Sequence, residues 1–486
     1  MIINLNHIEK YKENNRIEAK KATGGLPNSI WETYSSFANT LGGVILLGVK
    51  ENSDKSFQVV GLPDPDWLVK DFWDNINNLQ KVNVNILSDK NVVVEDIDGK
   101  KIIVITVPRA QRCDKPVFID GNPLTGTYRR NGEGDYKCSQ EEVRAMMRDA
   151  AARTQDMLVL ENMGLDVFDY DSVHRYRIRM KNYRPGHVWE ELEDNEFLYK
   201  LGAVGRGADG ELHPTAAGLL MFGYEYEIVK EYPDYFLDYQ EQFDADNRWT
   251  DRIVSSSGDW SGNVYDFYFR VYNKLKQNIK VPFKMEDGVR IEDTPIHKAL
   301  REAIANCLIN ADYYGKRGLV ITQTASEIKI SNPGAFRIEL DEAKAGGVSD
   351  PRNTALMKMF NLIDIGERAG SGIPNIYSVW KKQNLSEPEI TESFEPERIT
   401  LSLSIKKIGD KKSAIKIGDK KSAINETNKT RIIEYLTEHI SAKSSEIADY
   451  LGLKSSRTRD YLNELIADEI VVAEGSNRNR FYKLKA

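Results

Sequence analysis

The alternation of apolar and polar positions predicts an α/β fold for residues 1–153. Helical spacing is interrupted at Gly42-Gly43, which would allow a tight turn from helix to strand. Asp98-Gly99 lies between two strand-like runs and is a typical hairpin turn. The predicted elements are helices over 30–40, 67–78 and 140–153 and strands over 44–49, 92–97 and 101–107.

Two further segments follow before residue 406. Residues 154–285 contain apolar and aromatic runs but no motif that carries chemistry, so we interpret them as a connector or an oligomerisation surface and expect a homo-oligomer of two or more copies. Residues 286–405 return to an α/β pattern. The predicted elements are an apolar segment over 215–222, a strand-like segment over 232–243, helices over 264–276 and 295–311, and strands over 318–324, 327–331 and 399–405, the last closing the sheet.

The last part of the chain predicts a linker and a small DNA-binding fold. The nonapeptide KIGDKKSAI occurs at 407–415 and again at 416–424, and two polar, lysine-rich copies are too few for a repeat fold, so we interpret 406–426 as a solvated linker. Residues 427–486 have the spacing of a winged helix-turn-helix, with Gly452 at the turn. Its predicted elements are helices over 430–438, 443–451 and 455–468 and wing strands over 470–472 and 480–482.

Composition limits the class of protein. The 486 residues suggest about three domains, and 41% hydrophobic with 29% charged residues is an ordinary globular balance. No apolar run approaches the roughly 20 residues that cross a bilayer, and the first twelve residues lack a signal-peptide pattern. Three scattered cysteines fit a reducing cytosol, so we expect a cytoplasmic protein. The net charge of −7 does not exclude nucleic acid, because binding depends on local patches.

An acidic element stands near the start of the chain. Glu13 and Glu18 precede Lys20 and a GGLP turn. Two side chains that are five residues apart do not share a face of a helix or of a strand. Only a turn or bulge could therefore bring these carboxylates together. F-A-N-T-L-G-G follows at 37–43, and then I-L-L-G-V. This combination resembles the Schlafen AlbA-like domain over most of residues 5–150.

The resemblance implies a metal site in the nuclease members of that family. Two glutamates and a third acid after the G-V strand would hold Mg²⁺ or Mn²⁺, which suit hard oxygen ligands and can activate water. By motif these roles fall on Glu13, Glu18 and Glu51, with Asp54 as the other candidate for the third acid and Lys20 as the adjacent basic residue. The alternative is that these are solvated acids of a domain that only binds nucleic acid.

A second polar constellation lies on the helix predicted at 295–311. Glu302, Asn306 and Asn310 recur at i, i+4 and i+8 and form one polar stripe. A carboxylate and a carboxamide one turn apart could hold a water molecule and hydrated Mg²⁺. The pattern resembles the E-x3-N box of the GHKL ATPases, which implies that Glu302 is the general base and Asn306 the Mg²⁺ ligand. The opposite side of the helix is apolar, at Ile296, Leu300, Ile304 and Leu308.

Further motifs extend this resemblance over about 290–405. Asn332 and Gly334 stand where the GHKL family has D-x-G-x-G for adenine, and a Gly-rich stretch over 366–374 opens a helix whose start could bind phosphate. With Pro351-Arg352-Asn353, the pattern resembles the divergent ATPase domain found behind Schlafen AlbA-like domains. The alternative is a degenerate fold that binds no nucleotide. The implied ATP-binding residues are Asn306, Asn310, Asn332, Gly334, Gly370 and Gly372.

Basic residues at two places are candidates for nucleic-acid contacts. Arg129 and Arg130 belong to a Y-R-R-x-G element of the Schlafen resemblance. In the tail, recognition helices contact base edges through their first residues, and wing residues contact phosphates. The alternative is a winged helix used for protein docking. The tail candidates are Lys454, Arg457 and Arg459 on the recognition helix and Arg478 and Arg480 on the wing.

Two hypotheses follow. The first is a divalent-metal-dependent nuclease of DNA or RNA that is gated by ATP, an architecture that would suit phage defence. The second is a non-catalytic, ATP-sensing, DNA-binding transcriptional regulator. A third reading, a RecG-type helicase, is disfavoured because the sequence has no G-x(4)-G-K-[ST] loop.

Overall fold

The computed structural model divides the chain into two compact units, Met1–Ile405 and Lys406–Ala486. No helix among the described residues is both long enough and apolar enough to cross a membrane. The described residues are 13–243, 248–279, 284–286, 289–291, 294–366, 370–405, 432, 435–436, 439, 441–451, 458, 461–462, 465–466, 470–474 and 480–484.

The front of the first unit is an α/β module around a four-stranded sheet in the order β1-β2-β6-β5. β1 pairs in parallel with β2, and the other pairs are antiparallel. The central strand β2 is buried throughout because its alternate residues enter two apolar clusters, Ile45 and Leu47 on one face and Val44 and Leu46 on the other. The elements are β1 (Ile17–Lys20), α1 (Ile30–Asn39), β2 (Gly43–Leu47), β3 (Val49–Glu51), β4 (Phe57–Val59), α2 (Pro65–Ile76), β5 (Val92–Ile97), β6 (Lys100–Val107), α3 (Pro123–Gly126), β7 (Tyr128–Asn131), β8 (Gly134–Lys137) and α4 (Gln140–Ala150).

Local chemistry explains where these elements begin and turn. Asp64 caps α2 by accepting a hydrogen bond from the Trp67 N–H at 3.0 Å, and Ser139 and Glu142 form a capping box at the start of α4. Gly42 has φ +69°, and a Cβ there would lie 2.8 Å from the Val107 carbonyl oxygen, which explains the glycine at this turn. The predicted hairpin at Asp98-Gly99 is present between β5 and β6.

The rest of the first unit surrounds a six-stranded sheet in the order β12-β11-β15-β16-β18-β17. All neighbours are antiparallel except β11 and β15. Its elements are α5 (Tyr170–Tyr183), α6 (Asp194–Leu201), β9 (Val204–Arg206), β10 (Leu212–Pro214), α7 (Ala216–Phe222), α8 (Glu225–Glu231), β11 (Leu237–Gln242), β12 (Asp251–Val254), α9 (Val264–Asn278), β13 (Lys284–Glu286), β14 (Val289–Ile291), α10 (Pro295–Asn310), β15 (Leu319–Thr324), β16 (Glu327–Pro333), α11 (Leu340–Ala345), α12 (Thr354–Leu362), α13 (Gly372–Lys382), β17 (Glu389–Phe394) and β18 (Glu397–Ser404).

This sheet corrects two predictions. The boundary between a connector (154–285) and an ATP-site segment (286–405) was wrong, because β11 and β12 complete the sheet of the second segment and one buried apolar cluster runs from Leu160 to Leu403. The strand predicted at 399–405 does not close the sheet. It is β18, and the edge strand β17, which the sequence did not indicate, lies outside it.

The second unit contains a small three-stranded sheet in the order β19-β21-β20. Among its described residues, the helix Ser444–Leu451 lies in the chain between β19 and β20. Apolar residues including Ile447, Leu462 and Tyr482 form its core. The helix predicted over 443–451 and the strands predicted over 470–472 and 480–482 are present within a few residues, while the predicted linker at 406–426 lies outside the described residues. The elements are β19 (Ala442–Lys443), α14 (Ser444–Leu451), β20 (Val471–Glu474) and β21 (Phe481–Leu484).

Candidate functional site

A cavity with about 1070 Å³ of empty space, part of it open to solvent, lies against α10, β16 and the start of α13. The structure brings most of the predicted ATP-site residues together there, because the polar stripe of α10 faces the cavity while its apolar residues, including Leu300, Ile304 and Leu308, are buried. The predicted residues that line it are Glu302, Asn306, Asn310, Asn332, Gly370 and Gly372.

The stripe on α10 is internally hydrogen-bonded. Asn306 Nδ2 donates to Glu302 Oε1 at 3.2 Å, and Asn310 Nδ2 donates to the Asn306 carbonyl at 2.9 Å. Each contact spans one helical turn, as the i, i+4 spacing predicts. The carboxylate of Glu302 is therefore oriented by the neighbouring carboxamide.

Gly372 brings the start of α13 against this stripe. A Cβ at this position would lie 2.4 Å from Glu302 Oε1 and 2.6 Å from Asn306 Nδ2, so a larger residue could not be accommodated without movement. The first backbone N–H groups of a helix are suited to binding anions. The glycine thus allows the start of α13 to approach a carboxylate and a carboxamide.

Asn332 and Gly334 have different roles. Asn332 is buried at the end of β16 and lines the cavity, with its Nδ2 donating to the Pro333 carbonyl at 3.1 Å. Gly334 is not among the lining residues, which corrects its prediction as an ATP contact. Its φ is +100°, and a Cβ would lie 2.8 Å from Arg352 Nη2, so the glycine makes room for that guanidinium.

One wall of the cavity is bound to the front module, which the sequence did not indicate. Arg109 donates to Glu392 through Nη1 at 2.6 Å and Nη2 at 2.9 Å, and Nη2 also donates to the Phe336 carbonyl at 2.7 Å. The Phe336 N–H donates to Glu392 Oε1 at 2.7 Å. Phe336 lines the cavity, so these contacts link its wall directly to residue 109.

A second set of contacts holds the same wall. Arg112 Nε donates to Asp350 Oδ2 at 2.6 Å, and Arg337 Nη2 donates to the Asp149 carbonyl at 2.9 Å. Arg352 forms an ion pair with the Asp149 carboxylate. Asp149 belongs to α4, the helix that leaves the front module, whereas Arg337, Asp350 and Arg352 line the cavity.

Two titratable groups are enclosed between the modules. Burial lowers the pKa of Lys115 to about 8, and the nearby Arg109 acts in the same direction. Burial raises the pKa of Glu397 to about 7. Lys115 Nζ donates to the Asn39 carbonyl at 2.8 Å, at the end of α1. In both cases the cost of burying charge outweighs the attraction of opposite charges.

The carboxylate cluster of the front module is organised around a buried arginine. Arg130 pairs with Glu18 at 2.8 Å and with Asp135 at 2.9 Å, and its side chain is 1% exposed. Glu18 also pairs with Lys20 at 2.9 Å. The prediction that Arg130 contacts nucleic acid was therefore wrong, because a guanidinium enclosed by two carboxylates cannot reach a ligand. Asp135 was not predicted, since nothing in its local sequence marks it.

A turn brings Glu13 back over β1, as the spacing required. The Asn14 N–H donates to the Ile17 carbonyl at 3.2 Å, and the Ala19 N–H donates to Glu13 Oε1 at 3.2 Å. Burial raises the pKa of Glu13, and the nearby carboxylates of Glu18 and Glu51 raise it further. Glu51 Oε1 is buried without a hydrogen-bond partner. The three predicted acids therefore lie within electrostatic reach of one another.

Proximity does not make these acids a metal centre. In the part of the chain that the structure describes, no three or more His, Cys, Asp or Glu side chains are placed to hold a metal ion. Glu18, moreover, is neutralised by two cations. As arranged, the predicted ligands Glu13, Glu18 and Glu51 do not fit Mg²⁺ or Mn²⁺.

The other predicted nucleic-acid residues are only partly described. Arg129 forms ion pairs with Glu142 at 3.0 Å and with Glu395 at 2.6 Å, and its side chain is 14% exposed. Its charge is therefore balanced by carboxylates of the protein itself. Arg480 is exposed, with its guanidinium 5.6 Å from the centre of the Tyr482 ring. Four predicted residues lie outside the described residues, namely Lys454, Arg457, Arg459 and Arg478.

Comparisons with known proteins match four segments of the chain. Residues 13–139 match the Schlafen AlbA_2 family, and residues 321–401 match HATPase_c_4, whose description includes the words "ATP-dependent DNA helicase recG C-terminal". Residues 144–238 match a domain of unknown function, DUF8451, and residues 428–473 match FaeA-like protein. A search of curated proteins found no match.

The solved structures that are similar to the chain include those of two proteins. The DIP2311 protein from Corynebacterium diphtheriae is 16% identical, with a TM-score of 0.40, and the match covers 97% of this chain and 92% of that one. The N-terminal domain of a RecG-related protein from Nitrosomonas europaea is 35% identical, with a TM-score of 0.21, and the match covers 26% of this chain and 84% of that one. The family models therefore identify a Schlafen AlbA_2 domain at residues 13–139 and a RecG C-terminal HATPase_c_4 domain at residues 321–401.

Proposed function

We propose that the protein binds ATP in the cavity of its first unit and that ATP occupancy changes its affinity for nucleic acid. The matched domains suggest a nucleic-acid-related, ATP-linked function. The observation that carries the finer proposal is that one cavity wall, at Phe336 and Asp350, is hydrogen-bonded to Arg109 and Arg112 of the Schlafen AlbA_2 domain.

The residues of the cavity fit a nucleotide. Gly370 and Gly372 at the start of α13 would bind phosphate, and Asn306 would hold a hydrated Mg²⁺ beside it. Glu302, oriented by Asn306, would accept a proton from water if the nucleotide is hydrolysed. Asn332 would contact the base from the buried end of β16.

The proposed coupling between ATP binding and nucleic-acid binding follows from the hydrogen bonds that hold the cavity wall. Phe336 is hydrogen-bonded to Arg109, and Asp350 to Arg112. A ligand that moves either wall residue must therefore also move the arginine bonded to it or break that hydrogen bond. Coupling between two sites is reciprocal, so nucleic acid bound by the protein would change the affinity for ATP by the same factor. We further propose that residues 427–486 form a winged helix that contacts nucleic acid through its wing, where Arg480 is exposed.

Calorimetric titration of the full chain with ATP and Mg²⁺ tests the first half of the proposal. We expect binding by the wild type and by Glu302→Gln, and weaker Mg²⁺-dependent binding by Asn306→Ala. The exposed residue Lys298 on the same helix provides the matched control, Lys298→Ala. If wild-type protein does not bind ATP at millimolar concentration, the proposal is wrong.

A metal-dependent nuclease is the second candidate, favoured by the unpartnered Glu51 Oε1 and by the pKa of Glu13, which burial raises and the carboxylates of Glu18 and Glu51 raise further. It would require Glu18 to leave Arg130. Labelled single- and double-stranded DNA and RNA would be incubated with Mg²⁺ or Mn²⁺, with and without ATP, beside an E13A/E18A variant. Cleavage by the wild type that is lost in that variant would support this candidate, and a phage-challenge assay would then test the role in phage defence. Intact substrates would favour the non-catalytic regulator.

A further inference from the structure

Arg337 is a buried cation in the cavity wall, and it is not among the residues proposed above to contact ATP. Its side chain is 6% exposed and lines the cavity. Nη1 donates to the Pro351 carbonyl at 2.7 Å and Nη2 to the Asp149 carbonyl at 2.9 Å. Nε is buried and has no hydrogen-bond partner. The guanidinium is therefore fixed in place by two main-chain carbonyls, and its buried Nε–H group is left without an acceptor.

The charge around Arg337 is not balanced by the wall itself. Asp350 lies 3.8 Å away but is closer to Arg112, at 2.6 Å, and Asp149 is paired with Arg352. Two arginines of the wall, Arg337 and Arg352, and Arg112 of the front module thus share two carboxylates. A buried charge without a full counter-charge is costly, and a bound anion would remove that cost.

We propose that Arg337 binds an anionic group of the cavity ligand and that this group is a phosphate. The planar guanidinium is well suited to phosphate oxygens, and hydrogen bonds to ionised groups are among the strongest in proteins. The identity of the ligand as a nucleotide rests on the proposed function. The anion site itself rests only on the position, burial and unmatched charge of Arg337.

Titration of the full chain with ATP and with adenosine tests this assignment. Arg337→Gln should weaken ATP binding by roughly 10- to 100-fold, the effect of losing one charge-assisted hydrogen bond, and leave adenosine binding unchanged. Arg398 provides the matched control, because it also donates to a main-chain carbonyl, that of Gly318 at 2.9 Å, but does not line the cavity. Arg398→Gln should leave the ratio of the two affinities unchanged.

Equal losses of ATP and adenosine affinity in Arg337→Gln would overturn the proposal, because they would indicate a merely structural role. If Arg337→Gln does not fold, Arg337→Lys replaces it and should lower ATP affinity alone. Pyrophosphate separates the proposal from the proposed function. Binding of pyrophosphate by the wild type that Arg337→Gln loses supports the anion site even if no nucleotide binds. No binding, or equal binding by both proteins, overturns it.

Discussion

Arg109 and Glu392 are 283 residues apart in the chain and form a two-point ion pair, with Nη1–Oε2 at 2.6 Å and Nη2–Oε1 at 2.9 Å. Both side chains are more than nine-tenths buried. The same guanidinium and carboxylate also bind the carbonyl and the N–H of Phe336, respectively. This arrangement joins the Schlafen AlbA_2 domain to the cavity wall.

Removing one partner of this pair should destabilise the protein and weaken the coupling. Arg109→Gln leaves the Glu392 carboxylate buried without its cation, so we expect a loss of roughly 3–5 kcal/mol in the free energy of unfolding. Urea unfolding measures this loss. The exposed Arg144 gives the control, Arg144→Gln, which should unfold like the wild type. A loss below about 1 kcal/mol in Arg109→Gln would contradict the importance of the pair.

Arg130 should matter for stability. Arg130→Gln would leave Glu18 and Asp135 without their shared buried cation, and we expect a loss of roughly 3–5 kcal/mol in the free energy of unfolding. Thermal and urea unfolding measure it. If Arg130→Gln instead unfolds like the wild type and loses only nucleic-acid affinity, the original prediction of a contact residue would be reinstated.

Glu397 should make stability depend on pH. Burial raises its pKa from the ordinary 4.5 to about 7 in the folded protein. Because the pKa is higher in the folded than in the unfolded protein, the Glu397 carboxyl contributes stability that is fully present below pH 4.5 and is lost as the pH rises through about 7. Glu397→Gln cannot ionise, so relative to the wild type it should gain stability between pH 4.5 and 7 and keep that gain above pH 7. Urea unfolding at pH 4.5 and pH 8 tests this, and an equal difference at both values would refute it.

Gly372 should be required for nucleotide binding. In Gly372→Ala the new Cβ meets Glu302 Oε1 at 2.4 Å, so the stripe or the start of α13 must move. We expect ATP affinity to fall at least about tenfold, the effect of more than 1.4 kcal/mol. Gly24→Ala is the control, because a Cβ at Gly24 meets nothing within 4 Å. Unchanged ATP affinity in Gly372→Ala would show that the helix start does not take part.

Features with local periodicity could be predicted from the sequence. The stripe of Glu302, Asn306 and Asn310 lies on one helix, and its spacing alone places it on one face. The Asp98-Gly99 hairpin is equally local. The membership of β11 in the second sheet could not be predicted, because its parallel partner β15 follows only after a long connection that contains α9 and α10.

Contacts between distant segments were also beyond prediction. Nothing in the sequence around Arg109 distinguishes it from a surface arginine, and its partner Glu392 lies on a strand that was itself missed. Arg130 belongs to the Y-R-R-x-G element, whose sequence does not indicate burial, and its burial depends on Asp135 and on β1, which the fold brings to it. Arg337 was missed for the same reason, since its environment is built by Asp149 from another module.

The most direct measurement of the central claim is the affinity of the full chain for labelled DNA and RNA, with and without saturating ATP. We predict that ATP changes the dissociation constant by at least about fivefold, that nucleic acid changes the ATP dissociation constant by the same factor, and that Arg109→Gln brings both factors toward one. A wild-type dissociation constant that is the same with and without ATP, for every nucleic acid that binds, would contradict the account.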